Sequence, residues 1–251
     1  MLRFLKTCRR AAFRPRLLQV LFPVGLALFA GGAAAADKVQ DTLAQRLKAC
    51  TVCHGATDRV TADAYFPRIA GKPSGYLYQQ LLNFREGRRQ YGPMRGLLAG
   101  LSDDYLREIA GHFARLGLPH TAPPAGTANA AELAQGEELV LKGVAGREVP
   151  ACVQCHGEAL TGLAPAVPGL IGLPKNYLVA QFGAWRSGQR QARSPDCMAQ
   201  IVRRLQPEEL SSVAQWLASR PLPADSRPAT QAPAQWPMAC GGLQGETGAA
   251  R

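Results

Sequence analysis

The sequence predicts an all-α protein built from two tandem copies of one helical domain. Apolar residues recur at helical spacing through most of the chain, and no stretch alternates as a half-buried strand does. A set of residues in the first half also returns, in the same order, in the second half.

The elements follow in order. Residues 1–16 carry Arg3, Lys6, Arg9, Arg10, Arg14 and Arg16 with no acid, an apolar run spans Leu17 to Phe29, and Ala34-Ala35-Ala36 precede Asp37. That pattern predicts a cleaved secretory signal peptide, residues 1–36, and a periplasmic product. An uncleaved anchor helix is the alternative; Pro23 and the Ala-x-Ala exit favour cleavage. Val39, Leu43 and Leu47 then share a helical face, as do Leu133, Gly136 and Val140 in the second half. Middle helices place Leu77, Leu81 and Phe84, and later Leu178, Phe182 and Trp185, at i, i+4 and i+7. Closing helices place Leu106, Ile109 and Phe113, and Leu210, Val213 and Leu217, at i, i+3 and i+7. Ser102 is the expected N-cap of the first closing helix, and Pro207 the first residue of the second. The expected domains are 37–120 and 131–223, joined by a Pro/Ala/Gly linker at 121–130 and followed by an irregular tail at 224–251.

Charge excludes one class of partner. The chain holds 29 Lys and Arg against 18 Asp and Glu, and six of the basic residues lie in the leader. The remaining excess is small and spread out, with no basic face interleaved with aromatics, so nucleic acid is not expected. Residues 37–120 hold 12 basic and 8 acidic side chains, and residues 121–251 hold 11 and 10.

The chemistry lies in the cysteines. Cys8 falls in the leader. Cys50-Thr51-Val52-Cys53-His54 and Cys152-Val153-Gln154-Cys155-His156 are two copies of C-x-x-C-H, the c-type haem attachment pattern. Two thiols at this spacing add across the vinyl groups of one haem, and the histidine is held beneath the iron. Zinc and thioredoxin-like redox chemistry also use C-x-x-C. Two complete motifs in an exported chain favour two covalently attached haem c groups. Cys197 and Cys240 remain, an even pair in an oxidising compartment, and a structural disulfide is their expected use.

The repeat supplies the other ligands. Pro67, Gly71, Pro73, Tyr76, Leu77, Gln80, Arg85, Gly87 and Arg89 return 101 residues later, ending at Arg190. Beyond Arg190 the offset becomes 104, which pairs Met94 with Met198 and places a three-residue insertion in the loop before the second methionine. Equivalent methionines in both copies are the expected sixth ligands, because His/Met ligation gives a cytochrome-type iron of raised potential. Met238 has no counterpart and is read as a non-ligand. His112 aligns with Trp216 and is read as packing, and His120 as a linker residue. The carbonyls of Pro67 and Pro168 are expected to accept from the proximal histidines. Arg85, Arg89, Arg186, Arg190, Tyr76 and Tyr177 are the side chains expected within reach of haem propionates.

These motifs resemble the cytochrome c4 family. The resemblance rests on both Cys-His-Gly runs, the P-x-x-x-G segments, the Tyr-Leu…Gln pattern, and the F-R-E-G-R-R and W-R-S-G-Q-R stretches. It implies two class I cytochrome c domains about a pseudo-twofold axis, with His54 and Met94 on one iron and His156 and Met198 on the other. It also implies haem propionates near the domain interface. The tail and the Cys197/Cys240 pair depart from the family pattern. The expected function is electron transfer between a quinol-oxidising complex or dehydrogenase and a terminal oxidase or reductase, without catalysis. A cytochrome subunit bound to a partner dehydrogenase, or peripherally to a membrane complex, is the alternative. A two-haem peroxidase is disfavoured, because a methionine stands ready for each iron.

Overall fold

The computed structural model describes residues 40–55, 59–60, 65–117 and 127–243, without the side chains of 59, 60 and 65. The leader with Cys8, His120 and most of the linker lie outside these residues.

Two apolar cores organise the chain. The first gathers Leu47, Leu82, Leu106, Ile109 and Phe113. The second gathers Val140, Leu178, Val202, Val213, Trp216 and Leu217. Around the first stand α1 (Leu43–Arg46), α2 (Lys48–Thr51), α3 (Ser74–Arg85), α4 (Gly92–Leu98) and α5 (Asp103–Ala114). Around the second stand α6 (Ala130–Lys142), α7 (Val153–His156), α8 (Lys175–Arg186), α9 (Cys197–Arg204) and α10 (Pro207–Ser219). The ranges of α3 and α8 differ by the repeat offset itself, so the duplication visible in sequence is a duplication of structure.

Local chemistry sets the helix ends. Ser102 Oγ accepts from the Tyr105 amide at 3.3 Å and starts α5, as its sequence position predicts. Asn129 Oδ1 does the same for Glu132 at 2.7 Å and starts α6. Pro207 opens α10, where Glu209 reaches back to the Gln206 amide at 2.8 Å. Gly143 ends α6 at φ +70°, in a cramped turn where an added Cβ would lie 2.7 Å from the Ala151 nitrogen. Among the described residues the strands form two antiparallel hairpins of two-residue strands: β1 (Arg59–Val60) with β2 (Tyr65–Phe66), and β3 (Gly162–Leu163) with β4 (Val167–Pro168).

The structure differs from the sequence reading in two respects. The helix expected to run through Leu43 and Leu47 is broken at Leu47, where ψ is 2°. Arg85 and Arg186 also differ, because both turn away from the interface. Arg85 donates to the Leu101 carbonyl and to Asp103, each at 2.6 Å, and Arg186 donates to the equivalent Leu205 carbonyl at 3.3 Å. They brace the middle helix to the start of the closing helix.

The repeats meet through a short two-sided ladder. Gln90 N–H donates to Gln189 O at 2.8 Å and Gln191 N–H to Arg88 O at 2.7 Å, so Arg89 and Arg190 lie opposite one another. The Pro165 carbonyl, in the loop of the second hairpin, accepts from the Gly75 amide at the start of α3 at 2.9 Å. The chain after α10 returns across the second repeat: Ala229 pairs with Leu163, and a disulfide joins Cys240 to Cys197 at the start of α9.

Candidate haem-binding site

Each proximal histidine is aimed by the backbone. His54 Nδ1 lies 2.8 Å from the Pro67 carbonyl and His156 Nδ1 lies 2.8 Å from the Pro168 carbonyl. Nδ1 therefore carries the proton and donates it, which leaves Nε2 with a free lone pair for a metal. Proline suits the acceptor position, because it offers a carbonyl and no competing N–H. Burial pushes both imidazoles below the ordinary histidine range, which favours their neutral form.

The thiols are not built for thiolate chemistry. Burial raises Cys50 and Cys155, and it pushes Cys152 up to about 12. A thioredoxin-like motif needs the opposite shift. Among the described residues no group of three or more His, Cys, Asp and Glu side chains is arranged to hold a metal ion.

A cavity of about 1680 Å³, counted with its open mouth, surrounds the second motif. Cys152, Cys155, His156 and Met198 all line it, so the structure brings the second set of expected ligands together. In the first repeat, Cys50 and Met94 pack partly buried on one core, beside Ile69 and Tyr76. His112 lies against the Phe113 ring, centroids 5.3 Å apart, a packing position. Met238, read as a non-ligand, lines the second cavity, carried there by a tail that helical periodicity does not describe.

The cavity continues to the interface, where the structure concentrates positive charge. Arg190 is only 7% exposed. Its guanidinium donates to Gln181 Oε1 at 2.8 Å and to Gln80 Oε1 of the other repeat at 3.3 Å. Arg89 mirrors it, donating to Gln80 Oε1 at 2.9 Å and Gln181 Oε1 at 2.8 Å. Arg89 also sits over the Phe84 ring and Arg190 over the Trp185 ring, at 4.6 and 3.7 Å. No carboxylate of the described residues pairs with either guanidinium. Burial, with Arg89 beside it, lowers Arg190 to about 10. Burial alone would raise the Tyr76 phenol, but Arg190 and Arg89 pull it below its ordinary value. Trp185 Nε1, which lines the cavity through its residue, is a buried donor with no partner.

A buried guanidinium and a half-buried one without an anion, next to an unpaired indole donor and a C-x-x-C-H motif, fit a ligand that is apolar in its body and carboxylate-bearing at one edge. A covalently bound haem is such a ligand.

Comparison with known proteins gives the same reading. No protein-family model matches the chain. Over 203 residues the chain is 32% identical to a cytochrome c4 of Pseudomonas aeruginosa, spanning 80% of this chain and 94% of the relative. The chain belongs to the cytochrome c4 family. It is thus an all-α, two-haem c-type cytochrome, an electron carrier and not an enzyme. A thiosulfate dehydrogenase electron acceptor of Stutzerimonas stutzeri is 39% identical over 171 residues, 68% of this chain and 78% of that protein. Among solved structures, reduced cytochrome c4 from Pseudomonas stutzeri superposes with a TM-score of 0.58 at 26% identity, over 70% of this chain and 95% of that one. A thiosulfate dehydrogenase from Marichromatium purpuratum gives a TM-score of 0.60 at 30% identity, over 69% of this chain and 36% of that longer chain.

Proposed function

We propose that this cytochrome accepts electrons from a partner dehydrogenase in the periplasm, with a thiosulfate dehydrogenase as the donor. The observation that carries the reading is the pair Arg89 and Arg190, one guanidinium from each repeat sharing Gln80 and Gln181 with no carboxylate among the described residues to pair them, a place where two carboxylate-bearing groups would sit back to back. Two relatives are named thiosulfate dehydrogenase electron acceptors, at 39% and 35% identity, which supports the choice of donor over a quinol-oxidising complex.

In this reading the domains are residues 37–120 and 131–223, and residues 1–36 are removed on export. Cys50 and Cys53 would hold one haem and Cys152 and Cys155 the other through thioether bonds. His54 with Met94, and His156 with Met198, would ligate the two irons. The haem would supply a one-electron couple. The chain's residues do the rest. The Pro67 and Pro168 carbonyls fix the imidazole planes, and the two cores exclude water. Arg89 and Arg190, each donating to a tyrosine hydroxyl of the opposite repeat, Tyr177 and Tyr76, would neutralise haem carboxylates where the repeats meet.

Stopped-flow mixing with reduced thiosulfate dehydrogenase tests the donor: saturable reduction of both haems at a salt-dependent rate is expected. Reduction no faster than by an unrelated cytochrome of similar potential would refute it. Mass spectrometry of periplasmic material should show a chain beginning at Asp37 plus two haem masses.

A further inference from the structure

We infer that the two repeats divide their outward roles: the C-terminal segment covers the ligand-bearing face of the second repeat, and a redox partner docks on the corresponding face of the first. The docking part rests on the electron-acceptor reading above, and the occupant is a partner surface whose apolar centre is flanked by carboxylates.

The segment after α10 is built into the second repeat at three places. Ala229 adds to the β3–β4 hairpin, accepting from the Ala164 amide at 2.7 Å and donating to Gly162 O at 2.9 Å. Pro233, Gln235, Trp236 and Pro237 face Gln154, which lies inside the second C-x-x-C-H. Gly241 donates to Pro195 O at 2.8 Å, and Cys240 is bonded to Cys197, the neighbour of Met198. Gly241 sits so tightly on the Arg193–Ser194 backbone that any Cβ would overlap it. Trp236, Met238 and Cys240 in consequence line the cavity that holds His156 and Met198. The seat for this strap, Arg193 to Cys197, is the loop in which the repeat offset changes from 101 to 104. The inserted residues and the strap belong to one device.

Among the described residues no segment lies on the first repeat as the strap lies on the second. Its ligand-bearing elements are exposed and apolar: Leu97 on α4 is 52% exposed, Tyr91 at its start 46%, and Val52 inside the motif 63%. Ile201, the equivalent of Leu97, is partly buried and lines the covered cavity. The second repeat thus fills with its own Trp, Pro and Met side chains a face that the first leaves open. Lys48 and Arg95, exposed on the same elements, enter no ion pair among the described residues, Arg95 donating only to the neutral Gln90 Oε1 at 3.0 Å, so these elements carry positive charge that calls for acidic groups on the partner.

The experiment uses the two-haem protein throughout. Reduced thiosulfate dehydrogenase is mixed with the parent and with Leu97→Asp, Lys48→Glu and, on the covered repeat, Arg203→Glu. The first two changes should slow the second-order rate by about tenfold at low salt, at unchanged midpoint potentials, and Arg203→Glu should change it less than about twofold. Parent-like rates for Leu97→Asp, or equal slowing by Arg203→Glu, would overturn the inference. If the enzyme does not reduce the parent at all, the donor assignment falls and a second measurement decides the inference alone. Imidazole added to the oxidised parent, followed by the methionine methyl signals in NMR, should displace Met94 faster than Met198. Cys240→Ser should narrow that gap. Equal rates at both haems of the parent, or faster loss of Met198, would show that the strap covers nothing.

Discussion

Arg190→Gln tests the charge balance at the interface most directly. The guanidinium is 7% exposed, and burial holds it at about 10 against an ordinary 12.5. That drop corresponds to roughly 3 kcal/mol disfavouring the charged form in the protein alone. A nearby carboxylate restores that energy, and the same attraction holds the carboxylate's own pKa down by about one to three units. Removing the charge while keeping a hydrogen-bonding side chain should let a haem propionate titrate near pH 6 rather than well below 5. The sign follows from charge: a deprotonated propionate favours ferric iron, so the potential should fall as pH rises through that range. Spectroelectrochemical titration from pH 5 to 8 is the assay. The parent should be flat there, and Arg190→Gln should show one haem whose potential declines with pH by less than the one-electron limit of about 59 mV per unit. A variant as flat as the parent would refute the assignment of Arg190 to a propionate.

Four further outcomes follow from other contacts. Met94→Ala and Met198→Ala should each remove about half of the near-infrared iron–sulfur band and lower one potential; an intact spectrum would refute that ligand. Gly136→Ala should destabilise the second repeat, because the new Cβ would lie 2.7 Å from Trp216 Cβ where α6 crosses α10; calorimetry should show a Tm lower by about 5–15 °C. Glu209 is clamped by Arg147 at 2.6 and 2.9 Å, which lowers its carboxyl below the usual range. Its contribution is therefore complete above the unfolded pKa of about 4.3 and lost as pH falls through the folded value. Glu209→Gln should lower Tm at pH 7 and flatten the acid limb of the pH–Tm curve; an unchanged acid limb would count against the clamp. Cys240→Ser opens a loop spanning a sequence separation of 43 and should cost up to about 4 kcal/mol of stability in the second repeat, read by urea unfolding.

How much of this was legible in the sequence depended on how local the signal was. Helix positions were, because Leu77, Leu178, Leu106 and Leu210 carry the period of one helical face and Ser102 and Pro207 mark helix starts by local chemistry. The Pro67 and Pro168 acceptors were legible because a ligand histidine must have its second nitrogen satisfied and the repeat offered one candidate twice. The division of the arginines was not. Arg85 and Arg89 are four residues apart, and only the fold shows that Arg85 turns to Leu101 and Asp103 while Arg89 turns to the other repeat. The strap was legible only at its anchor, the expected Cys197–Cys240 bridge, since Ala229 and Gly241 make their contacts through backbone groups that any residue possesses. Its trace in sequence was indirect: an odd offset before Met198 and a cysteine at each end of the later bridge.

Duplication explains the interior, and divergence explains the exterior. At the interface each glutamine oxygen accepts from both guanidiniums, so neither Arg89 nor Arg190 can shift without changing the hydrogen bonds of the other repeat. Such a shared network constrains both copies together, which is why Tyr76, Gln80 and Arg89 recur unchanged at Tyr177, Gln181 and Arg190. No such constraint acts on the outer faces, where Leu97 became or remained exposed while Ile201 came under the strap. An electron carrier with two identical open faces would meet donor and acceptor equally at either haem. Closing one face by a covalent link beside Met198, and leaving the other with Leu97 exposed and Lys48 and Arg95 on its elements, gives a symmetric pair of sites an orientation without altering the interface between them.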